Sequence, residues 1–426
     1  MPGRLGEEMY GWAVDLFPLN RSITGPGLRE TLRYLQRIVP ELMLHEVPSG
    51  TRVFDWTVPD EWRVNHARLI GPDGEVVVDF ADNNLHLWGY SVPTQCRVSL
   101  DELQPHLHSL DYNSDAVPYR TSYFAPKWGF CLSHDHRLSL KPGEYTVDID
   151  TVLEPGSMTY GELILPGDSE QEILLSSYCC HPSMANNELS GPIVTVALAR
   201  WLQSLDRRRY TYRIVLAPET IGSLAYLSRN LDAMKRNTVG GYVLSCIGDD
   251  RSYSYLPTRW GNTPVDRVAR HILDTTVGTY NVRPFRNRGS DERQYNSPGV
   301  NIPVAVLSRS IFGMYPEYHT SKDNLDLISP AGLQGGYDLV RNVVLAWENN
   351  AMYRRDMPGE PFLSKYGLYE EVSYLRNDMF FFIRDVAAFA DGEHDLIALA
   401  EMNNLSIVEC IDVIDKMLAC KLIARV

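Results

Sequence analysis

The sequence lacks the features that mark membrane, secreted and nucleic-acid-binding proteins. None of its 426 residues lies in an apolar run long enough to span a bilayer, and the first residues, MPGRLGEEMYGWAVDLF, contain no signal-peptide pattern. The seven cysteines are spread thinly and form no CxxC pair, which predicts free, mostly buried thiols. We therefore expect a cytoplasmic protein.

Basic residues are also too few for a surface that binds phosphates. Forty Lys and Arg stand against 54 Asp and Glu, which gives a formal net charge of -14 at pH 7. Such a charge repels nucleic acids and anionic lipids. We expect a small-molecule or aminoacylated substrate and neither a nucleic acid nor a membrane as partner. The length indicates two or three domains.

Three kinds of pattern succeed one another along the chain. Apolar residues three and four positions apart predict helices at the start, and short alternating apolar and polar runs then predict strands. In the long middle part, strand-like runs alternate with helices, which is typical of a mostly parallel mixed sheet between helices. The predicted α/β catalytic domain covers residues 1–45 and 140–355, and an inserted all-β domain covers residues 46–139.

The last part of the chain, residues 360–426, predicts a small winged-helix domain. Asp395–Met402 and Ser406–Ala419 are spaced as a helix-turn-helix, and Lys421–Val426 follows as a short strand. The second of these helices has three acids and one Lys where DNA phosphates would require basic side chains. We expect a packing or protein-contact module, and this domain and the β insert are the candidate surfaces for a homo-oligomer.

Two chemically capable residues directly follow predicted strands. His181 comes after the strand-like run Leu174–Cys180, and Glu219 comes after Val215–Ala217. Open α/β sheets place their reactive groups beyond the carboxyl ends of the strands. Apolar neighbours raise the pKa of a carboxyl group, which suits a general base. A structural histidine and an acid at a helix start are the alternative interpretations of each residue alone.

The order of several motifs resembles that of a known enzyme family. These motifs are His181 with the turn Met184–Gly191, then Glu219, then Gly289–Tyr295 and Tyr315–Leu325, together with Asn20–Gly25 and Trp128–His134. The order resembles the zinc aminopeptidases of the MH clan. It resembles more closely a bacterial aminopeptidase-like family that has an inserted β domain and a C-terminal winged helix.

The resemblance implies a metal site, but this sequence departs from the clan's ligand set. The clan holds two zinc ions with two His, two Asp and a Glu, and a further Glu activates water. By motif, His181 and His319 match the two His and Glu219 matches the base. Asn187, Thr220 and Ser245 stand where three of the metal-binding acids are expected.

These departures predict at most one zinc per chain. His181 and His319 are the expected ligands, and Asn187 or an outside carboxylate is the expected third ligand, because catalytic zinc takes three strong protein ligands. Glu188 could take that place if the turn is rotated. A site without metal is the main alternative.

The predicted function is that of a metal-dependent, aminopeptidase-like amidohydrolase acting on a small specialised substrate. The resemblance implies a biosynthetic role, with Glu219 as catalytic base. Asp291 and Glu292 are the candidates to hold an α-amino group. The other predicted pocket residues are Gln294, Tyr295, Arg309 and Tyr318. An acyl-transfer or amide-forming enzyme on the same scaffold and a metal-free binding protein are the alternatives.

Overall fold

Secondary structure in the computed structural model is described for residues 3–368 and 378–426. The helices are α1 Gly3–Leu16, α2 Pro26–Ile38, α3 Leu100–Leu103, α4 His134–Leu138, α5 Ser190–Gln203, α6 Ile221–Asn237, α7 Pro264–Ile272, α8 Glu292–Tyr295, α9 Pro330–Asn349, α10 Asp378–Phe389, α11 Leu396–Met402 and α12 Ile407–Ala419. None of these described helices combines the length and the apolar character needed to cross a membrane.

The strands fall into one large sheet and several small ones. They are β1 Met43–Pro48, β2 Arg52–Val53, β3 Trp56–Thr57, β4 Glu61–Ile70, β5 Val76–Asp79, β6 Thr94–Ser99, β7 Leu107–His108, β8 Phe130–Cys131, β9 Glu144–Glu154, β10 Ser157–Leu165, β11 Glu172–Tyr178, β12 Thr211–Ala217, β13 Thr238–Leu244, β14 Ser254–Leu256, β15 Asn281–Val282, β16 Val304–Ser308, β17 Met352–Arg354, β18 Asp391–Asp395 and β19 Ala424–Arg425.

An eight-stranded mixed sheet forms the centre of the larger unit, with strand order β1-β10-β12-β11-β13-β16-β14-β15. Strands β12, β11, β13 and β16 run parallel to one another. At the two sides of this group, β10 pairs antiparallel with β12 and β14 pairs antiparallel with β16. All residues of β11, β12 and β16 are buried, as expected for strands covered on both faces. The predicted α/β fold with a mostly parallel mixed sheet is confirmed.

Helix α5 packs directly behind the ends of these parallel strands. It contacts β11, β12 and β13, and α1 and α2 pack against it in turn. Gly191, in its first turn, makes this approach sterically feasible. A Cβ there would lie 2.3 Å from the carbonyl oxygen of Leu244 and 2.3 Å from Ser177 Oγ. The turn before α5 is thereby held against the strand ends.

A four-stranded antiparallel sheet, β5-β4-β9-β6, forms the β insert. Its central strand β9 pairs with β4 and β6 along its length. We expected the insert to end at residue 139 and β9 to belong to the α/β part, so the structure extends the insert to Glu154. Residues of β9 are alternately buried and partly exposed. An alternating sequence pattern predicts such a strand but does not say which strand it pairs with, so the boundary at residue 139 was wrong.

A second compact unit comprises residues Gly261–Tyr280 and Asp338–Val426. Within it, α10, α11 and α12 accompany the three-stranded sheet β18-β17-β19. Asp395 and Ser406 cap α11 and α12 with their side chains, at the predicted helix starts. The predicted helix-turn-helix is confirmed. Helix α7, expected in the catalytic domain, belongs to this second unit.

Candidate functional site

A cavity of about 530 Å³ opens where the parallel strands β11 and β12 end. Residues from three parts of the chain line it: Ile23 from the N-terminal segment, Trp56, Trp88, Tyr119, Arg120, Thr121, Tyr123 and Phe124 from the β insert, and Cys180, His181, Glu219, Thr220, Ile221, Arg293 and His319 from the α/β part. The cavity therefore contains the three residues that the sequence placed at the centre of the chemistry, His181, Glu219 and His319.

The carboxylate of Glu188 contacts both the backbone and the imidazole of His181. Its Oε2 accepts the backbone N–H groups of Cys180 and His181 at 2.6 and 2.9 Å, and its Oε1 faces His181 Nδ1. The side chain is fully buried. Glu188 lies in a π-turn, Ala185–Leu189, that precedes α5. A π-turn changes which neighbouring side chain faces a given direction, and such turns are frequent at functional sites.

Asn187, the predicted third ligand, makes different contacts. Its side-chain amide donates to the hydroxyl of Tyr178 at 2.9 Å, and its Oδ1 is buried without a hydrogen-bond partner in the described part of the chain. The backbone N–H groups of Asn186 and Asn187 donate to the buried carboxylate of Asp323 at 2.6 and 3.1 Å. Metal binding by Asn187 stays a prediction.

His319 faces His181 across the site. The two ring centroids are 5.1 Å apart, and Tyr318 stacks on His319 with a centroid distance of 3.9 Å. Burial lowers the pKa of His319 well below its usual value, and the charges of His181 and Arg120 act in the same direction. Its Nε2 is buried and has no hydrogen-bond partner among the described residues. A neutral imidazole with a free nitrogen is a suitable metal ligand.

Three possible metal donors lie close together at this site. One donor atom each of Cys180, His181 and Glu188 lies within 4.8 Å of the others. Burial raises the pKa of the Cys180 thiol, and its Sγ accepts the backbone N–H of Glu219, so Cys180 is the weaker donor. His319 faces His181 but lies outside this group of close donors. Joined by His319, His181 and Glu188 would make the set of two imidazoles and one carboxylate that zinc takes at catalytic sites.

Arg21 supports His181 from behind. Its buried guanidinium donates to the carbonyl oxygen of His181 at 3.0 Å and to that of Leu16 at 2.6 Å. Burial lowers the pKa of Arg21, and the negative charge of Glu188 opposes this effect. The motif Asn20–Gly25 contains this residue, but the sequence alone gave it no role.

Glu219 lies two residues beyond the end of β12 and is partly exposed to the cavity. Burial among apolar walls raises its pKa to about 8, His181 opposes the rise, and Asp291 and Glu188 add to it. The next residue, Thr220, has a φ of 65°, which is rare for a β-branched residue and is typical of functional sites. Asp291 holds this turn, since its Oδ1 accepts the Thr220 N–H at 2.7 Å and the Ser223 hydroxyl at 2.9 Å.

None of the six predicted substrate-binding residues, Asp291, Glu292, Gln294, Tyr295, Arg309 and Tyr318, is among the residues that line the cavity. Glu292 accepts the N–H groups of Gly289 and Ser290, and Tyr295 is fully buried against Ser176. Arg309 donates to the carbonyl oxygen of Ser252 at 2.8 Å. Substrate binding by these residues stays a prediction, and Arg293 is the member of that segment that reaches the cavity.

The sequence interpretation missed the contribution of the β insert. The aromatic residues of Tyr119–Phe124 were visible in the sequence, but strand periodicity does not tell which loop of an insert faces the catalytic domain. In the structure, Tyr119 contacts the rings of both His181 and His319 edge-on, at centroid distances of 4.6 and 5.4 Å. The insert is therefore one wall of the site.

Comparison with protein families agrees with this architecture. Residues 10–350 match the family model described as "Domain of unknown function (DUF4910)", and residues 351–425 match a winged helix-turn-helix model. The chain belongs to the DUF4910 family. A relative from Clostridium acetobutylicum is 43% identical over 398 residues, which cover 93% of this chain and 91% of the relative. Its name is "Putative polysaccharide biosynthesis protein with aminopeptidase-like domain".

Solved structures share the fold of this DUF4910 protein. A crystal structure titled a "putative peptidase" from Clostridium acetobutylicum is 40% identical, has a TM-score of 0.92, and is matched over 100% of this chain and 97% of its own. A zinc aminopeptidase from Bacillus subtilis is 14% identical, with a TM-score of 0.58 over 80% of this chain and 94% of its own. The resemblance to aminopeptidase-like proteins with a C-terminal winged helix is confirmed.

Proposed function

We propose that this protein is a zinc-dependent hydrolase that cleaves an amide bond in a small substrate. The observation that supports this most directly is the meeting of His181, His319 and Glu219 at one cavity, with the carboxylate of Glu188 buried directly against His181. The family relationship to aminopeptidase-like proteins supports a peptidase-type reaction. We further propose that its substrate is a biosynthetic intermediate, because its relative is named for polysaccharide biosynthesis. We also propose that the protein acts in the cytoplasm.

His181, Glu188 and His319 are the residues that would hold one zinc ion. When bound, zinc supplies Lewis acidity, which polarises an amide carbonyl and makes water more acidic. Arg21 holds the backbone of His181, and Glu188 accepts the N–H of that same residue. These contacts fix the direction of the imidazole, as supporting contacts do in metal sites generally.

Glu219 is the proposed general base. Its carboxylate accepts a proton from the attacking water, and the same carboxyl group then delivers that proton to the leaving nitrogen as the C–N bond breaks. The Asp291 contacts to Thr220 and Ser223 hold the turn that carries Glu219. Aromatic side chains from the insert line the cavity beside these residues.

Metal analysis and turnover of Glu219→Gln test this proposal on the same samples. We expect at most one zinc per chain in protein purified without chelator. We also expect Glu219→Gln to keep metal and fold while turnover of an amide substrate falls by roughly 10²- to 10⁴-fold. Glu170→Gln removes an exposed carboxylate and is the matched control.

Two results would contradict the proposal. Near-parental turnover in Glu219→Gln would rule out this carboxyl group as the base, and two tightly held zinc ions per chain would contradict the single-site ligand set. Transfer of the acyl group to an added amine, without release of the free acid, would identify the acyl-transfer alternative.

A further inference from the structure

The charge of the cavity wall is opposite to what a free α-amino group requires. Glu219 is the one carboxylate among the lining residues, whereas Arg120 from the insert and Arg293 from the α/β part both line the same cavity. A substrate ammonium group is normally held by carboxylates. The candidates Asp291 and Glu292 each use one oxygen for backbone N–H groups or a hydroxyl, their other oxygens are buried, and neither residue lines the cavity. The wall therefore favours an anion.

Arg120 offers an unpaired cation at the cavity. It is exposed, and its side chain has neither an ion pair nor a hydrogen bond in the described part of the chain. Its backbone is nevertheless fixed, because its carbonyl oxygen accepts the Gly89 N–H at 2.8 Å and the preceding residue pairs with His319. The guanidinium of Arg120 is therefore unpaired, while the backbone that carries it is fixed by hydrogen bonds.

Arg293 offers a second cation. One of its terminal nitrogens donates to Thr220 Oγ1, and its Nε is buried without a hydrogen-bond partner. Its positive charge lowers the pKa of Glu219 and Asp291, but no carboxylate of the described residues lies within ion-pair distance of it. A guanidinium has five N–H donors, and Thr220 Oγ1 is the one acceptor that the described residues offer to the guanidinium of Arg293.

Aromatic rings line the same cavity as these two cations. Trp56 and Phe124 are 40% and 56% exposed and meet edge to face at a centroid distance of 5.5 Å. Phe124 and Tyr123 also line a neighbouring cavity of about 310 Å³, so the aromatic surface continues beyond the catalytic residues. Exposed aromatic rings of this size are suited to a flat ring, either aromatic or the apolar face of a sugar.

We propose that the substrate is an acidic amide whose anionic group, a carboxylate or a phosphate, is bound by Arg120 and Arg293. A ring of the substrate then lies on Trp56 and Phe124, and the amide bond faces His181, His319 and Glu219. This assignment rests on the proposed amide hydrolysis, and it specifies the substrate class for that same site. It excludes a substrate recognised through a free α-amino group.

Four small amides of similar size test the assignment by isothermal titration calorimetry with the full-length protein. They are N-benzoylglycine with a carboxylate, N-benzoylphosphoethanolamine with a phosphate, neutral N-benzoylglycinamide, and glycine anilide with a free amino group. We expect at least one of the two anions to bind about tenfold or more tightly than the neutral amide, the usual effect of charge-assisted hydrogen bonds. The tighter of the two anions identifies the acid group.

Substitutions at the two arginines locate the effect. Arg120→Gln and Arg293→Gln should each reduce the preference for the anion several-fold, and Arg293→Lys should retain part of it because the charge remains. Arg120 is exposed, so its variant tests the proposal even if Arg293→Gln disturbs the Glu219 turn. Arg97→Gln, which removes an exposed arginine on β6, should leave all four affinities unchanged.

Equal affinity for the anionic and neutral amides would overturn the assignment, and so would tightest binding of glycine anilide with no change in either Gln variant. A failure of the proposed hydrolysis is recognised separately. In that case the anion preference and its dependence on Arg120 persist, while no amide in the set is cleaved by metal-loaded protein.

Discussion

The backbone N–H of Tyr119 donates a hydrogen bond to the carbonyl oxygen of His319 at 2.8 Å. Two further bonds continue this pairing, from Ser321 N–H to the Val117 carbonyl oxygen at 2.8 Å and from Val117 N–H to Ser321 Oγ at 3.0 Å. His319 has a φ of 57°, a conformation that non-glycine residues adopt only when their surroundings hold it. The insert therefore fixes the loop of a proposed metal ligand.

Ser321→Ala tests this coupling between the insert and the His319 loop. The variant leaves the Val117 N–H without its acceptor, so we expect the free energy of unfolding to fall by about 1 kcal/mol. Turnover by the folded variant should also fall, roughly tenfold, because small displacements of catalytic groups slow the reaction. Urea unfolding and turnover measure the two effects. Ser139→Ala, on the exposed surface of the insert, should change neither, and parental turnover in Ser321→Ala would contradict the coupling.

Glu188→Gln tests whether Glu188, which contacts His181, or the adjacent Asn187 is the third zinc ligand. The Gln oxygen can still accept the N–H groups of Cys180 and His181, so the fold should persist, but zinc affinity should fall by tenfold or more because a charged ligand is lost. Competition with a chelator of known affinity measures it. Asn187→Asp is the companion variant, and it should tighten zinc only if Asn187 is itself a ligand. Unchanged affinity in Glu188→Gln would remove Glu188 from the proposed set.

Arg21→Met tests whether the buried guanidinium holds His181 in place. The carbonyl oxygens of Leu16 and His181 lose their donor, so the free energy of unfolding should fall by about 2–4 kcal/mol. The double variant Arg21→Met/Glu188→Gln should be less destabilised than the sum of the single variants, because each single variant leaves the other charge buried without its counter-charge and the double variant leaves neither. Arg207→Met, at a mostly exposed ion pair, is the control. Strict additivity would show that the two charges do not interact.

His271 makes the second unit sensitive to acid. Its Nε2 accepts the Ile407 N–H at 2.9 Å, which requires an unprotonated nitrogen, and its Nδ1 faces Glu401 at 3.3 Å. Burial lowers the pKa of His271 below the ordinary value of 6.5, with Arg267 acting in the same direction and Glu401 and Asp274 opposing.

Because the folded-state pKa is the lower one, this contribution to stability is complete above the unfolded pKa. It is lost as the pH falls through that value towards the folded pKa, at no more than about 1.4 kcal/mol per pH unit. Thermal unfolding between pH 7.5 and 5.5 should show this decline, and His271→Gln should have a shallower one. Parallel curves for the two proteins would show that other groups cause the acid sensitivity.

Several features of this protein are determined by local sequence alone. Near-continuous apolar runs identified β11 and β12 as buried parallel strands, which placed His181 and Glu219 just beyond their ends. Asp395 and Ser406 identified the starts of α11 and α12, because a capping side chain bonds to the backbone within three residues. These features depend on periodicity and short-range bonds, and motif order supplied the family.

Other features were decided only by the tertiary structure. The pairing of β9 with the insert sheet, the choice of Glu188 over Asn187 as the partner of His181, and the position of Arg120 at the cavity all depend on residues distant in sequence. An alternating pattern reports that one face of a strand is buried but not which strand covers it. A π-turn changes which of two adjacent side chains faces the site. Loops from separate parts of the chain form a common cavity only when packing brings them together, so the charge of its wall can be determined only from the folded protein.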